Sequence, residues 1–170
     1  MKTILMLLIA VVAASSCCLA DTISVKVGYA TPCTFSALSV MDGVTNTVTF
    51  GAGPGGVEAG KPTASPVVIS KAVDSCSIPL TLQAFRGSVV PTVTITLSAP
   101  PSASGPAKAA MIITLTNAAV TALSDSDQSG GSLAEKVSLV YEKIEIQDLL
   151  DNTILTCDLL ENICSSSSGG

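Results

Sequence analysis

The alternation of apolar and polar positions predicts β-strands along most of the chain. Its sharpest example is 135–146, where Val137, Leu139 and Tyr141 alternate with polar neighbours, as in a half-buried strand. Beyond Tyr141 the apolar residues take the other parity, as far as Ile146. Because a one-residue slip exchanges the two faces of a strand, this change predicts a bulge or bend where the strand passes between two sheets.

The same alternation predicts short strands joined by loops elsewhere. Strands are predicted at 22–27, 34–40, 44–50, 67–70, 89–97 and 111–123. The last of these also changes parity, near Asn117. Loops are predicted at 99–107 and 124–132, and the glycine- and proline-rich stretch 51–66 is expected to hold no regular element. The segment 149–164 is apolar but favours neither helix nor strand.

One helix is predicted at 77–86. Gly87 follows it where a C-terminal glycine ends a helix, and Ser75 or Ser77 is the expected N-cap. An apolar stripe recurs at i, i+4 and i+7, formed by Ile78, Leu82 and Phe85. We expect this stripe to pack the helix against a sheet. About seven strands and one helix predict an all-β barrel or sandwich.

The N-terminus has the pattern of a secretory signal peptide. Lys2 supplies a positive charge, an apolar run covers 4–14, and small residues permit cleavage after Ala20. The apolar run is too short for a typical membrane span. An N-terminal anchor helix and a lipidated Cys17 or Cys18 are the alternatives, although Ala-Ser-Ser before Cys17 is a poor lipidation context.

The 170 residues suffice for one domain with a real core. We expect a signal peptide at 1–20, a β-barrel domain at 21–148 and a C-terminal extension at 149–170. The extension ends in a serine- and glycine-rich stretch, 165–170, that is expected to be flexible. The expected location is secreted and extracellular, with no stable membrane insertion.

Charge excludes several classes of partner. Eight basic residues fall to seven when Lys2 is removed, against 13 acidic ones, which gives a net charge of −6. An acidic chain without a basic run argues against binding nucleic acid or an anionic membrane. Histidine and tryptophan are absent, so the commonest general base and the commonest metal ligand are missing. No catalytic residue, cofactor site or metal site is predicted.

Signal-peptide cleavage removes two of the six cysteines and leaves Cys33, Cys76, Cys157 and Cys164. An even number in an exported domain predicts two disulfides, with three possible connectivities. Cys157–Cys164 together with Cys33–Cys76 is preferred, because the first pair is close in sequence. A metal site is the alternative, but the spacings match no zinc pattern.

Three stretches in this order resemble the haemolysin-coregulated protein (Hcp) family of bacterial type VI secretion. The first, 66–80, is similar to a family strand with a lysine and an aspartate, here Lys71 and Asp74, followed by the start of the helix. The second, 111–120, resembles a strand with asparagine and alanine at its bend. The third, 135–146, resembles a strand that carries a glutamate, a valine and a serine.

The resemblance covers about 22–148. It implies a tight barrel of two sheets flanked by one helix, and a hexameric ring with a wide pore that stacks into a tube and carries, or is, secreted cargo. It implies no catalysis. The chain departs from the family in its signal peptide, its four remaining cysteines and its C-terminal extension, and it has Gln147 and Asp148 where the family continues with tryptophan and histidine.

Other chemical motifs are weak. The stretch 51–56 reads G-x-G-x-x-G, but a dinucleotide site needs a helix directly after it, and the following prolines prevent one. Glu142 and Glu145 would point to opposite faces of a strand, so they cannot flank one bond. These carboxylates are expected instead to form a solvated face or to pair with Lys136 and Lys143.

Asp125 and Asp127 are too few carboxylates for a specific calcium site, and a solvated turn is expected there.

The sequence as a whole favours a secreted, non-enzymatic, Hcp-like protein that self-assembles or binds a protein partner or cargo. A monomeric, disulfide-linked extracellular binding module is the alternative. An enzyme that uses acidic residues is the third class.

Overall fold

A computed structural model describes residues 22–29, 32–45, 48–50, 57–59, 63–100, 107–128 and 132–169. The strands up to the helix are β1 Thr22–Val27, β2 Cys33–Met41, β3 Val44–Thr45, β4 Val48–Phe50, β5 Val57–Ala59, β6 Thr63–Ala64 and β7 Val67–Ala72. The helix and later strands are α1 Ser77–Arg86, β8 Val89–Ala99, β9 Lys108–Gln128, β10 Ser132–Val140, β11 Lys143–Asp148, β12 Thr153–Asp158 and β13 Ile163–Ser168. The predicted signal peptide at 1–20 lies outside the described residues.

Six antiparallel strands close into a barrel in the order β10-β7-β2-β1-β8-β9, with β9 pairing back to β10. Inward positions alternate along each strand, as in β1, where Val25 and Val27 are buried and their neighbours Ser24 and Lys26 are exposed. The core also contains fully buried residues from the facing strands, including Val67, Val90, Val93, Ile95 and Leu115. The expected all-β class with one helix and a small barrel is confirmed.

Strand β9 pairs with a different neighbour along each of its two halves. Its N-terminal half pairs with β11 and its C-terminal half pairs with β10. Between the halves Asn117 adopts a left-handed backbone with φ 51°, a conformation that asparagine tolerates better than most residues. Opposite Asn117 the strand is interrupted between β10 and β11, where the N–H of Glu142 donates a hydrogen bond to the carbonyl of Thr116. Both predicted changes of strand face, near Asn117 and Tyr141, are therefore confirmed.

Strands β11, β12 and β13 continue the hydrogen-bonded sheet beyond β9 and lie outside the closed ring of six strands, and we call them the C-terminal sheet. The segment 149–164, for which the sequence favoured no element, supplies a turn, β12 and another turn into β13. The expectation of a flexible 165–170 is wrong for Ser165 to Ser168, which pair with β12. Serine has no strong tendency to form strands, so the pairing partner determines this structure.

Two other loop predictions are corrected. The stretch 51–66 was expected to lack regular elements, yet β5 and β6 form short antiparallel ribbons with β4 and β3. The predicted strand 44–50 is represented by β3 and β4. The predicted loop 124–132 is too long, because β9 continues to Gln128 and β10 begins at Ser132. In each case cross-strand pairing extends a segment whose own residues favour turns.

Candidate functional site

Four polar side chains lie together between the barrel and helix α1, and we call them the buried charge cluster. The ammonium of Lys71 on β7 lies 2.5 Å from a carboxylate oxygen of Glu135 on β10, and both side chains are almost wholly buried. Asp74 lies 2.8 Å from the same ammonium. Ser77, the first residue of α1, accepts a hydrogen bond from Lys71 and donates one to Glu135. The cluster therefore joins two barrel strands to the helix.

Strand register produces this contact. Lys71 and Glu135 are directly opposite each other in the β7–β10 ladder, so their side chains share the inner face. The ammonium also donates to the carbonyl of Ala72 at 2.8 Å and lies 5.0 Å from the centre of the Phe35 ring. Such complete pairing is what a charge needs inside a protein, because an unpaired buried ion loses its hydration without compensation.

The electrostatics of the cluster keep Lys71 charged. Burial alone would lower its pKa, but hydrogen bonds to Asp74 and Glu135 outweigh that effect, and the net pKa shift is upward. The ammonium is therefore fixed in its protonated form. A lysine of this kind is neither a nucleophile nor a general base, and it holds the surrounding backbone in place.

The sequence contains a signal for this cluster in the positions of its two buried charges. Lys71 has the same parity as the buried Val67 and Ile69 on β7, and Glu135 has the same parity as Val137 and Leu139 on β10. A charged residue at an inward position is costly unless it is paired. One cation and one anion at such positions on two strands predict a buried pair once the strands are known to be neighbours.

The start of helix α1 differs from the prediction. Its N-cap is Cys76, without a side-chain cap, so neither Ser75 nor Ser77 has the expected capping role. Asp74 instead accepts a hydrogen bond from the backbone N–H of Cys76, and the N–H of Asp74 donates to the Ser77 hydroxyl. The predicted helix bounds and the left-handed Gly87 at its end, with φ 59°, are confirmed.

The outer face of α1 corrects a second expectation. Ile78 is 77 % exposed and Phe85 is 87 % exposed, and Leu82 is also exposed, so the apolar stripe does not pack against a sheet. Leu80 and Ser77 are buried instead. The buried charge cluster turns Ser77 inward, and the residue three positions later shares its face. We call Ile78, Leu82 and Phe85 the apolar stripe of α1.

The four cysteines form two pairs with different states. Cys157 on β12 and Cys164 on β13 are directly opposite and form the predicted disulfide. The predicted Cys33–Cys76 bond is not formed, and both residues are thiols. Cys33 begins β2 and Cys76 precedes α1, and the Cys76 thiol lies 3.8 Å from the carbonyl oxygen of Thr34, the residue after Cys33. The preferred connectivity is thus confirmed for one pair, and the structure brings the second pair together without a covalent bond.

An apolar cavity of about 210 Å³ lies between the C-terminal sheet and the β3–β6 ribbon. Its lining includes Tyr141, Ile144, Ile146, Leu155 and the disulfide, and Asp42 also lines it. Burial and the nearby Asp42 carboxylate raise the pKa of Tyr141, so the phenol stays protonated at neutral pH. The volume suits a small apolar group.

The acidic residues considered as catalytic candidates take part in structural contacts. Glu142 accepts a hydrogen bond from the side-chain amide of Asn117 at 2.7 Å, beside the bend of β9. Lys143 pairs with Asp158 at 3.3 Å, so the alternative in which it pairs with Glu142 or Glu145 is wrong. Asp148 accepts hydrogen bonds from the backbone of the turn that follows it.

The remaining motifs give no site. The G-x-G-x-x-G stretch at 51–56 lies outside the described residues, and it is followed by strand β5 where a dinucleotide site requires a helix. Asp125, the calcium candidate, lies on β9 opposite Glu135. Among the described residues no group of three His, Cys, Asp or Glu could hold a metal ion. In the same part of the chain no helix has the length and apolarity to cross a membrane.

Comparison with solved structures identifies the fold. A protein described as "Structure of a type six secretion system protein" has a TM-score of 0.70 and 21 % identity, covering 86 % of this chain and 100 % of that one. The structure described as "Crystal structure of Hcp protein" has a TM-score of 0.71 and 15 % identity, covering 82 % of this chain and 98 % of that one. Hcp1 from Salmonella typhimurium has a TM-score of 0.66 and 18 % identity, covering 86 % of this chain and 99 % of that one. At these identities the likeness shows the fold alone.

Sequence comparison identifies the family. No curated protein matches the chain by sequence. The sequence profile described as "Type VI secretion system effector, Hcp" matches residues 34–147, from the start of β2 to the end of β11, which is well over half of the chain. The chain therefore belongs to the Hcp family of type VI secretion system proteins.

Proposed function

We propose that this chain is an exported, non-enzymatic subunit that assembles through its surface into a hexameric ring. The observation that carries the proposal is the apolar stripe of α1, which the Hcp-type barrel leaves on its surface. Monomeric proteins rarely expose a large contiguous apolar patch, and an exposed patch of this kind is typical of an interaction site. We propose no catalytic role, because Glu142 and Asp148, which were considered as catalytic candidates, take part in structural hydrogen bonds.

Ring closure needs two different surfaces on each subunit, because every contact joins one face to a dissimilar one. A second group of exposed apolar residues lies on the turns and strands of the C-terminal sheet, including Leu149, Leu150, Leu160 and Ile163. We propose that the apolar stripe of α1 is one of the two ring surfaces and that this C-terminal group is the other. The acidic charge of the chain favours a protein, not a nucleic acid, as its partner or cargo.

We propose that a signal peptide directs export and is cleaved after Ala20. Strand β1 begins at Thr22, so the cleavage would remove no described strand. The Cys157–Cys164 disulfide supports an oxidising destination. Expression of the full chain in a secreting host tests this point, because mass spectrometry of the protein from the medium reads its first residue. A first residue of Asp21 is expected, and retention of the whole chain in the cells contradicts export.

Charge substitution tests the ring surface. Phe85→Asp places a carboxylate in the middle of the proposed contact, and we expect the particle mass by light scattering to fall to that of one chain. Ser24→Asp is the matched control, since Ser24 is exposed on the outer face of β1 and the same charge is added at a polar position. An unchanged particle mass for Phe85→Asp would exclude the stripe of α1 from the assembly contact.

The apolar cavity favours a second function, that of a monomeric extracellular binding module. Its walls are apolar and include Tyr141, which can supply one hydrogen bond to a bound group. A panel of small apolar compounds would then raise the melting temperature of a chain that stays monomeric. Leu155→Trp fills the cavity, and it should abolish that response without changing the particle mass measured by light scattering.

A further inference from the structure

We propose that Cys33 and Cys76 are an oxidisable pair that closes into a second disulfide and links the start of β2 to the N-terminus of α1. The inference is independent of ring assembly. It rests on the position of two thiols from residues far apart in the sequence, which the fold brings into contact.

The geometry comes from both sides of the pair. The Cys76 thiol lies 3.8 Å from the carbonyl oxygen of Thr34, the residue after Cys33. Cys76 is 2 % exposed and part of the core, and the partly buried Cys33 packs against that core. The Cys76 thiol is also close enough to raise the pKa of Cys33. Two thiols in such positions can form a disulfide when their Cβ atoms approach to about 4 Å and the Cβ–S–S–Cβ dihedral is about 90°.

The surroundings give the two thiols different roles. Cys33 lines an open cleft of about 440 Å³ between Tyr29 and Pro32 on one side and the first turn of α1 on the other. A small disulfide reagent can therefore reach Cys33, whereas Cys76 is enclosed. The fold assigns Cys33 as the attacking thiol and Cys76 as the resolving thiol.

The reaction balances as thiol–disulfide exchange with a small-molecule disulfide. The Cys33 sulfur attacks one sulfur of the reagent, the reagent's S–S bond breaks, and one reagent thiol leaves. The Cys76 sulfur then attacks the Cys33 sulfur of the mixed disulfide, and the second reagent thiol leaves. The protein loses two electrons and two protons, both of which end on the two released thiols. Cys33 and Cys76 are then joined by a covalent bond.

The charges around Cys33 slow this reaction in the folded protein. Burial, the Cys76 thiol and the Asp74 carboxylate raise the pKa of Cys33 to about 12, and the Lys71 ammonium offsets only part of this. Tyr29, which also lies beside the pair, is uncharged because burial raises its pKa. The thiolate is the reactive form, so the rate should rise about tenfold per pH unit between pH 7 and 9.

Intact-mass and peptide analysis of the full chain tests the proposal. The chain is incubated with oxidised glutathione at pH 8.5, unfolded, alkylated with N-ethylmaleimide and digested. A peptide linking residues 33 and 76 is expected, together with the loss of two alkylation sites. A lasting glutathione adduct on Cys33, or two alkylated thiols, would overturn the pairing. Because the peptide is read directly, the Cys157–Cys164 bond does not interfere.

Two serine variants separate the roles. Cys76→Ser should hold glutathione on Cys33 as a stable adduct, and Cys33→Ser should react at neither position. Reaction of Cys33→Ser at Cys76 would contradict the assigned order. Should either variant unfold, the wild-type chain remains informative: the second disulfide closes a long loop, and its formation should raise the melting temperature by about 10 °C. No rise on formation of the linked peptide would mean that the bond does not stabilise the fold.

Discussion

The barrel and the C-terminal sheet are made of similar antiparallel strands, but different forces hold them. In the barrel, Val25, Ile95 and Leu115 have no exposed surface. In the C-terminal sheet Ile144 is the one buried side chain, and every residue of β13 is exposed. The barrel is stabilised by the burial of apolar surface. The sheet depends on its pairing with β9 and on the Cys157–Cys164 disulfide.

This difference shows how a closed barrel can carry an extension that could not stand alone. A two-stranded hairpin in water is at best marginally stable. Here β9 supplies a rigid edge, because half of the strand is already fixed in the barrel, and β11 adds to that edge. The disulfide then restricts the unfolded states of β12 and β13. Predictions that compare matched residues in the two regions test this account.

The largest contrast is expected between two ion pairs. Lys71→Met leaves Glu135 buried without a cation, and we expect it to lower the free energy of unfolding by about 3–5 kcal/mol. Lys143→Met breaks the partly exposed pair with Asp158, and a loss below about 1 kcal/mol is expected. Denaturant unfolding followed by circular dichroism measures both. Equal losses would contradict the distinction between the regions.

Two leucines on the two strands that flank β11 provide the next contrast. Leu115 on β9 lies opposite Ile144, and Leu155 on β12 lies opposite Ile146. Leu115→Ala opens a cavity in the barrel core and should destabilise the protein by about 2–5 kcal/mol. Leu155→Ala, at a position that is 40 % exposed, should lower the free energy of unfolding by about 1 kcal/mol or less. Chemical denaturation measures both, and a larger effect at Leu155 would show that the C-terminal sheet has a core of its own.

Removal of the disulfide should affect one region only. Cys157→Ser combined with Cys164→Ser leaves the barrel core intact, and about 2 kcal/mol of stability should be lost locally from β12 and β13. Hydrogen exchange measured by mass spectrometry should become faster in 153–168 and stay unchanged in β1 and β8. Faster exchange throughout the barrel would show that the two regions unfold as a unit.

The smallest expected effect is a dependence on acid pH. The backbone N–H of Glu161 and the ammonium of Lys143 hold the pKa of Asp158 below its usual value. The stabilisation is therefore present above the usual carboxyl pKa of about 4 and is lost as the pH falls through the lowered value. Protection of 153–168 against exchange, taken relative to the intrinsic rate at each pH, should therefore fall in acid. Asp158→Asn should weaken that loss of protection, and an unchanged pH profile in this variant would contradict the role of Asp158.

Local patterns predicted the elements whose residues determine them directly. The bounds of α1 follow from Gly87 and the preceding period, and the break at Tyr141 follows from the change of strand face. The outward direction of the apolar stripe of α1 could not be predicted, because it depends on Ser77 contacting Glu135, 58 residues later. Strand β13 was also missed, because its serines form a strand only beside β12.

The candidate sites divide in the same way. Spacing alone predicted the Cys157–Cys164 bond, since a short separation in one segment restricts the possible partners. The buried charge cluster needed the order of β7 and β10 in the barrel, which no local pattern contains. The exposure of the apolar stripe, on which the assembly proposal rests, also became visible only in three dimensions.

The most direct test of self-assembly is the solution mass of the exported wild-type protein, measured by light scattering over a hundredfold range of concentration. We expect one particle of roughly six times the chain mass, which is 17.0 kDa before any cleavage. That mass should persist at the lowest concentration, as for a ring closed by six equal contacts. A particle with the mass of a single chain at every concentration would contradict the proposed ring.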